Sequence, residues 1–385
     1  MVDFRLGDEY EELRASVQAF AQEQIAPVIA EHYENKTFPY EIVRQMGKMG
    51  LFGLPFPEEF GGMGGDYFAL CLALEELARV DSSVAVTLEA AVSLGAMPIY
   101  RYGTPEQRSQ WLPRLTSGEA LAGFGLTEPG TGSDAAGTTT RAVLDESTNE
   151  WVINGTKAFI TNSGTDITCL VTVMAVTGTN PDGSKELSTI IVPSGTPGFT
   201  VAPQYSKVGW CASDTHELSF DEVRVPAANL LGERGRGLAQ FLRILDEGRI
   251  AIAALSVGLA QGCVDESVAY AKQRTAFGRE IGGFQAVQFL IADMDLRAHT
   301  ARLGYYDAAA RMLAGEDFKR YAAIAKLHAS NAAMENSRYA TQVHGGYGFM
   351  NESAVGRFYR DAKILEVGEG TSEVQRMLIA RGLGL

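Results

Sequence analysis

The chain changes its pattern of hydrophobic residues twice, and this change limits the folds that it can adopt. In the first 120 residues apolar side chains recur at helical spacing, as at Leu13, Val17 and Phe20. From about 121 to 230, short β-rich runs separated by turn residues replace that pattern. From Leu238 onwards long, alanine-rich helical runs return. The sequence therefore predicts a helical region, a β region and a second helical region.

These regions predict an α+β multidomain fold. We expect an N-terminal helical domain over 1–120, a middle antiparallel β-barrel or sandwich domain over 121–232, and a C-terminal four-helix bundle over 233–385. Two dipeptides in the β region, Asn154-Gly155 and Asp182-Gly183, are strong hairpin signals. In the C-terminal region, a second long helical run is expected over 307–340.

An unusual acidic segment lies near the C-terminus, where Glu369 stands between Gly368 and Gly370. Apolar helical runs precede and follow it, so the segment predicts a helix break at which backbone can approach a ligand closely. Thr371 is a candidate N-cap of the next helix, with Ser372 as a second candidate. The positive end of that helix would favour an anionic or electron-rich ligand. An exposed glycine-rich turn with a solvated acid explains these residues equally well.

Composition and charge exclude several classes of function. The 385 residues carry a net charge of −14, which makes a nucleic-acid partner improbable. We expect no membrane span, because no uninterrupted apolar run is long enough, and no leader, because the chain begins with the acidic MVDFRLGDEYEEL. Four scattered cysteines and five scattered histidines predict no metal site and no disulfide framework. A cytoplasmic location fits these features.

The segment LTEPGTGSDAA contains Gly130, Gly132 and Ala135, which nominally fit a dinucleotide fingerprint. A strand-like run follows it, so no helix N-terminus is available for a pyrophosphate. The exposed hydroxyls of Thr127 and Ser133 can instead hold a flat polar ligand. Turn formation alone explains the glycines and the proline equally well.

Two further segments are candidates for phosphate or backbone contacts. Arg274 and Phe277 stand together at a helix end, where the guanidinium is either a phosphate clamp or part of a surface ion pair. The segment QVHGGYG at 342–348 has a double glycine after a helix, which also suits a plain C-cap.

Taken in order, these segments resemble the acyl-CoA dehydrogenase family, most closely its short-chain and short branched-chain members. The resemblance covers essentially the whole chain. It rests on six motifs, FGLTEPGTGSD at 124–134, INGTKAFITN at 153–162, GRIAIAALSVGLAQG at 248–262, RTAFGREIGGFQAVQFLIADM at 274–294, QVHGGYGF at 342–349 and EGTSEVQR at 369–376.

The resemblance implies FAD-dependent α,β-dehydrogenation of a short or branched short-chain acyl-CoA to the trans-2-enoyl-CoA. Glu369 matches the family's base, which removes the α proton while the β hydrogen leaves as hydride to flavin N5. Its backbone N–H matches a donor to the thioester oxygen. Some relatives carry the base at the position of Gly248, which cannot serve here. Glu247 and Glu366 are the fallback acids.

The resemblance also assigns binding residues. The chain departs from the family pattern at two positions: Phe159 stands where many relatives have tryptophan, and Ala276 stands where some relatives have a hydroxyl residue. The positions that match substrate contacts are Ser133, Asp246, Arg249, Gly368 and Gly370. The positions that match FAD contacts are Phe124, Leu126, Thr127, Gly132, Ser133, Phe159, Thr161, Thr371 and Glu373 and, across a subunit interface, Arg274, Phe277, Gln285, Gln342, Gly345 and Gly346.

Members of the family are usually homotetramers that pass electrons to an electron-transferring flavoprotein in fatty-acid β-oxidation and related pathways. Gly368 stands where straight-chain relatives often have tyrosine, which favours a branched or substituted acyl group. Two alternatives are an acyl-CoA oxidase that uses oxygen, and a non-catalytic flavin- or CoA-binding subunit. The length of the chain favours a dehydrogenase over an oxidase, and the retained Glu369 opposes a non-catalytic role.

Overall fold

The structure is a computed structural model and describes residues 6–385. Its first region is helical and comprises α1 (Asp8–Phe20), α2 (Ile29–Asn35), α3 (Tyr40–Lys48), α4 (Tyr67–Ala78), α5 (Ser82–Glu89), α6 (Met97–Tyr102) and α7 (Pro105–Thr116). Segments of π-helix, Ala21–Ile25 and Ala90–Ala96, extend α1 and join α5 to α6. Breaks at Pro27, at Phe38-Pro39 and over 59–66 separate helices of this region.

Helix α7 begins at a hydroxyl cap. The Thr104 hydroxyl accepts a hydrogen bond from the Gln107 N–H at 3.2 Å, and the Gln107 side chain accepts one from the Thr104 N–H at 3.0 Å. Pro105 occupies the first helical position, where its missing N–H costs nothing. Both devices are local and fix where this helix starts.

The strands of the middle region are β1 (Leu121–Gly125), β2 (Arg141–Asp145), β3 (Glu150–Thr161), β4 (Thr168–Thr179), β5 (Lys185–Pro193), β6 (Phe199–Val201), β7 (Thr215–Pro226) and β8 (Leu230–Leu231). They form one eight-stranded sheet with the order β6-β7-β3-β2-β4-β5-β8, and β1 pairs with β4. Most pairs are antiparallel as predicted, but β4 runs parallel to both β1 and β2. Apolar side chains of the strands, including Trp151 and Phe220, form a core of their own.

One of the two predicted hairpins is wrong. Asp182-Gly183 does turn β4 into the antiparallel β5. Asn154-Gly155 instead lies inside β3, which stays paired with β7 on both sides of a register shift between Ile153 and Gly155. A Cβ at Gly155 would lie 2.5 Å from the Thr140 hydroxyl oxygen, so the glycine serves a bulge and a close approach rather than a turn.

The C-terminal region is helical, with a two-stranded hairpin after its first helix. Its elements are α8 (Gly237–Gln273), β9 (Thr275–Ala276), β10 (Arg279–Glu280), α9 (Gln285–Leu313), α10 (Lys319–His344), α11 (Ala354–Leu365) and α12 (Ser372–Gly382). Helix α10 packs against α8, α9, α11 and α12. The run predicted over 307–340 is interrupted, because the chain turns at Gly315, whose φ is +72°. The three domain ranges given above remain predictions.

Two helical segments are apolar and long enough to cross a membrane by length and composition, so the expectation that no run is long enough was too strict. They are Ser82–Tyr102 and Gly237–Gln273. Their apolar windows are 94% and 83% buried, as in helices that form the core of a globular protein. Burial within the fold therefore accounts for their hydropathy.

A buried carboxylate joins the three regions directly before the acidic segment. Asp361 on α11 accepts hydrogen bonds from the Tyr33 hydroxyl of α2 at 2.6 Å and from the Ser82 hydroxyl of α5 at 2.7 Å. It also accepts one from the Trp210 backbone N–H, in the loop before β7, at 2.7 Å. Hydrogen bonds to a charged acceptor are stronger than neutral ones, so this residue fixes where α11 ends relative to the sheet and to α5.

Candidate active site

Glu369 lies in the short loop between α11 and α12. Its backbone φ is +51°, a left-handed conformation that is uncommon for a residue with a side chain and concentrates at functional sites. The predicted cap is confirmed, because the Thr371 hydroxyl accepts a hydrogen bond from the Val374 N–H at 3.3 Å. Helix α12 therefore starts beside the acid.

The Glu369 carboxylate points at the middle of α8. Its Oε2 atom is buried and has no hydrogen-bond partner among residues 6–385. A Cβ built on Gly248 would lie 2.6 Å from that oxygen, so the carboxylate would have to move to accommodate it. The absence of a side chain at Gly248 therefore provides the space that the carboxylate occupies.

A buried lysine holds the loop from the opposite side. The Lys326 ammonium on α10 donates a hydrogen bond to the Gly370 carbonyl oxygen at 2.8 Å, and the Gln375 side-chain amide donates to the same oxygen at 2.8 Å. Burial lowers the pKa of Lys326 to about 8. Burial also raises the pKa of Glu369 above its ordinary value, although the neighbouring Glu89 carboxyl and the charges of Lys326 and Arg249 oppose that rise.

The backbone N–H of Glu369 is available to a ligand. The neighbouring Gly368 N–H donates to the Ile364 carbonyl at 2.7 Å, and the Ser372 N–H donates to the Glu366 carbonyl at 3.0 Å. Within the described chain, the Glu369 N–H has no such acceptor. A donor and a buried base thus come from the same residue.

The two fallback acids are engaged elsewhere. Glu247 is buried and forms ion pairs with Arg101 at 3.1 Å and with Arg243 at 3.7 Å. Glu366 pairs with Lys363 at 2.7 Å. Both acids are therefore engaged with partners away from a ligand at the loop.

Asp246 and Arg249 form a charged group that flanks Gly248 along α8. Arg249 donates a hydrogen bond to Asp246, which also pairs with Lys319 of α10 at 3.1 Å. Both α8 residues are buried, and the Arg249 Nε has no partner among the described residues. A cationic donor therefore remains available beside the Glu369 loop.

The loop after β1 carries the hydroxyl-rich segment and is fixed by a buried ion pair. Lys157 on β3 donates hydrogen bonds to Glu128 at 2.9 Å and to the Leu126 carbonyl at 3.1 Å. Sequence reasoning missed both members of this pair; a charged residue in the strand-like run INGTKAFIT was the signal. Further donors to Glu128 are the Thr138 hydroxyl, the Thr139 N–H and hydroxyl, and the Thr140 N–H.

A backbone hydrogen bond between this loop and β3 places Thr127 beside Phe159. The Ala158 N–H donates to the Thr127 carbonyl at 2.8 Å, which holds the loop against β3. The Phe159 ring is 64% exposed on a backbone with φ of +61°. By contrast, Phe124 is buried and stacks on Phe241, with ring centroids 3.9 Å apart. Thr161 at the end of β3 is half-buried, whereas Gly132 and Ser133 are exposed.

A second group of predicted residues lies at the surface, around the turn after α8 and the end of α10. Arg274, Gly345 and Gly346 line a cleft of about 530 Å³, and the Arg274 guanidinium lies 5.9 Å from the centre of the Tyr347 ring. Phe277 is 96% exposed. Gln285, Gln342 and Glu373 are also exposed, and Thr371 is half-buried.

Three family models match this chain in succession. They describe the N-terminal domain of acyl-CoA dehydrogenase over residues 7–119, its middle domain over 123–223 and its C-terminal domain over 235–384. The chain belongs to the acyl-CoA dehydrogenase family. It is therefore an oxidoreductase of the acyl-CoA dehydrogenase type, in a flavoprotein family of fatty-acid metabolism whose members depend on FAD.

Individual acyl-CoA dehydrogenases match over the full length. The chain is 49% identical over 383 residues to the probable acyl-CoA dehydrogenase YngJ of Bacillus subtilis, covering 99% of this chain and 100% of that one. The butyryl-CoA dehydrogenase of Megasphaera elsdenii has the same fold with a TM-score of 0.95 and 39% identity over 100% of both chains. A chain in the structure of the electron transferring flavoprotein of Acidaminococcus fermentans matches with a TM-score of 0.95 and 38% identity over 99% of both chains.

All four cysteines carry free thiols. Within residues 6–385, no three histidine, cysteine, aspartate or glutamate side chains come together as a metal site.

Proposed function

We propose that this chain oxidises a short or branched short-chain acyl-CoA to the trans-2-enoyl-CoA, with FAD as cofactor and Glu369 as the base. The observation that carries the proposal is the Glu369 carboxylate, which is buried and unpartnered at Oε2 on a left-handed residue between two glycines. The family shows the type of reaction, and this geometry supports the choice of the acid.

Removing the α proton of a thioester requires a base that is stronger than a carboxylate in water. Burial raises the pKa of Glu369, which brings its proton affinity closer to that of the substrate carbon. The free N–H of Glu369 donates to the thioester oxygen and stabilises the negative charge that develops there. Losing one such donor costs about 3–4 kcal/mol of barrier. FAD, when bound, accepts the β hydrogen as hydride.

The residues present fit FAD. The exposed ring of Phe159 and the neighbouring Thr161 suit the face of a flat ring system. A Cβ at Gly132 would meet nothing within 4 Å, so the backbone there is open to a ligand. The cleft with Arg274 suits a phosphate, which arginine binds in bidentate fashion. The residues that would hold the cofactor are Phe124, Leu126, Thr127, Gly132, Ser133, Phe159, Thr161, Thr371 and Glu373, with Arg274, Phe277, Gln285, Gln342, Gly345 and Gly346 from a neighbouring subunit.

The substrate would bind between the β region and the helices. Asp246 and Arg249 lie beside the Glu369 loop and would contact the CoA portion, together with the exposed Ser133. Gly368 and Gly370 flank the base and would contact the acyl group. Because Gly368 lacks a side chain, the acyl cavity is wider there, which supports a branched or substituted acyl group.

The proposal includes three further points. The chain forms a homotetramer, lies in the cytoplasm and passes its electrons to an electron-transferring flavoprotein. The rings of Phe277 and Phe349, 96% and 88% exposed, are large apolar groups of the kind that a partner subunit covers. The match to a chain in a structure named for an electron transferring flavoprotein supports the acceptor.

The test is an anaerobic titration of the FAD-loaded protein with straight and branched acyl-CoAs, followed by the visible absorbance of the flavin. We expect bleaching by one subset of substrates and a loss of about 10²–10⁴-fold in its rate in Glu369→Gln. Glu366→Gln is the matched control, because this acid lies in the same loop but pairs with Lys363. Bleaching at the wild-type rate by Glu369→Gln would remove Glu369 as the base.

The acyl preference is tested separately with Gly368→Tyr. A Cβ at Gly368 would lie 3.4 Å from the Ile364 carbonyl oxygen, and its φ is not positive, so the backbone accepts a side chain. We expect the variant to lose turnover of branched acyl-CoAs more than of butyryl-CoA. Equal losses, or a wild type that prefers butyryl-CoA to every branched substrate, would contradict the branched assignment.

A further inference from the structure

A second buried acid, Glu89, faces the proposed base. It ends α5, and the π-helical segment Ala90–Ala96 begins directly after it, a feature frequent at functional sites. Glu89 is fully buried and is the one charged residue in the apolar run VAVTLEAAVSLGA at 84–96. Among the described residues, neither of its carboxylate oxygens has a hydrogen-bond partner that meets ordinary geometry.

The two acids converge on one point of α8. From the position of a Cβ on Gly248, Oε2 of Glu369 lies at 2.6 Å and Oε1 of Glu89 at 3.8 Å. Glu369 reaches this point from the loop after α11, and Glu89 reaches it from the end of α5. Two carboxylates that share a buried space cannot both be ionised without strong repulsion.

The surrounding charges decide which acid keeps the proton. The cations of Lys326 and Arg249 act on Glu369 and favour its charged form. Glu247, on the same helix as Arg249, is neutralised by its ion pair with Arg101. The titratable or charged groups that face the pair are Tyr67 and Cys71 on α4, Glu247 and Arg249 on α8, and Lys326 on α10.

We infer that Glu89 is protonated and donates a hydrogen bond to the ionised Glu369, so that Glu89 is a positioning residue for the base. This inference rests on the proposed function for the role of Glu369. Burial and the neighbouring Glu369 raise the pKa of Glu89 well above its ordinary value, which agrees with that protonation state. Glu89 thereby fixes the carboxylate above Gly248 and keeps a second negative charge out of the acyl cavity.

The donor has a predictable effect on the pH dependence of the reaction. A hydrogen bond to a carboxylate favours its charged form, so removal of the donor raises the pKa of the base. In Glu89→Leu we expect the acidic limb of the pH profile of kcat/KM to move to higher pH by about one to two pH units. In Glu89→Gln, which retains an N–H donor of the same shape, the limb stays within about half a unit of the wild type.

Two measurements test the inference. The infrared spectrum of the wild type at pH 7 is compared with that of Glu89→Gln, and we expect a protonated-carboxyl carbonyl band that only the wild type shows. The kcat/KM profiles of the two variants provide the second measurement. Absence of that band, or equal movement of the acidic limb in both variants, would overturn the inference.

These outcomes are separable from those that test the base. The infrared comparison requires no turnover, so a band lost in Glu89→Gln supports protonation of Glu89 even where Glu369→Gln keeps its activity. In that case the proposed function fails, and the positioning role of Glu89 fails with it. Folding of Glu89→Leu is checked by its far-ultraviolet circular dichroism and its FAD content.

Discussion

Two glutamates with buried carboxylate oxygens, Glu128 in the β region and Glu369 in the helical region, meet opposite surroundings. Both oxygens of Glu128 accept hydrogen bonds from side chains and backbone of its own region, including Lys157. Oε2 of Glu369 and both oxygens of Glu89 lack such partners in the described chain. A satisfied buried acid fixes a loop, whereas an unsatisfied one marks space for a ligand.

The pKa values diverge in the same way. Burial alone would raise the pKa of Glu128, but hydrogen bonds from Thr138, Thr139, Lys157 and Thr140 lower it well below its usual range. Burial raises the pKa of Glu369, and the partners that oppose this rise are too few to reverse it. Hydrogen-bond supply therefore decides whether a buried glutamate serves as a permanent anion or as a proton acceptor.

Breaking the satisfied cluster should produce the largest loss of stability. Lys157→Met keeps the aliphatic stem but leaves Glu128 as a buried charge without its cation, which costs about 3–5 kcal/mol of unfolding free energy. Urea denaturation measures the loss, and Lys48→Met on the exposed end of α3 is the control. A Lys157→Met protein as stable as its control would contradict the structural role of the cluster.

Glu369→Gln, in contrast, should unfold at the wild-type urea concentration or above it, because it removes a desolvated acid.

Filling the space beneath the unsatisfied acid should affect activity without loss of stability. Gly248→Ala places a methyl group where Oε2 of Glu369 lies, and a misplaced base lowers kcat by about 10²-fold. Gly304→Ala in α9 is the matched control, because its Cβ would meet only ordinary contacts near 3.8 Å. Both alanines should raise helix stability by about 0.5–1 kcal/mol. Equal kcat values for the two variants would show that the carboxylate has room to move.

The smallest effect is expected at a histidine of the β region. The His216 ring lies 2.6 Å from Asp214 through Nε2 and 2.6 Å from the Ala202 carbonyl through Nδ1, so both nitrogens face acceptors. Burial opposes the charged ring, but the hydrogen bond and the charge of Asp214 raise the pKa of His216 above its ordinary 6.5. Its stabilisation is complete below about pH 6.5 and is lost as the pH rises through the higher folded value.

The measurement is the free energy of unfolding of the wild type minus that of His216→Gln, followed from pH 5.5 to 8.5. The expected difference decreases with rising pH. A difference that stays constant across this range would mean that His216 has the same pKa in the folded and unfolded states, and a difference that increases with pH would mean that the ring stays neutral in the folded protein.

Local chemistry was predictable from the sequence. Thr371 caps its helix as expected, because the cap depends on a hydroxyl and the next three residues. The position of Glu369 between glycines, at a helix break, was also visible. Asn154-Gly155 failed as a hairpin because the same dipeptide suits a bulge when a neighbouring strand continues the pairing, and that depends on β7 far along the chain.

The partners of the base were not predictable in this way. Glu89 and Lys326 come from helices distant in sequence, and each is a single charge within an apolar or alanine-rich run. That isolation was a signal of burial, but it does not say which other buried group faces the charge. Only the packing of α5, α8 and α10 brings these side chains to one loop.

The space above Gly248 has a consequence for where this protein can carry its base. A Cβ on α8 would meet the Glu369 carboxylate at 2.6 Å, so an acid introduced at Gly248 would have to displace Glu369 from its present position. A base on α8 and a base in the loop would therefore compete for one volume rather than act side by side.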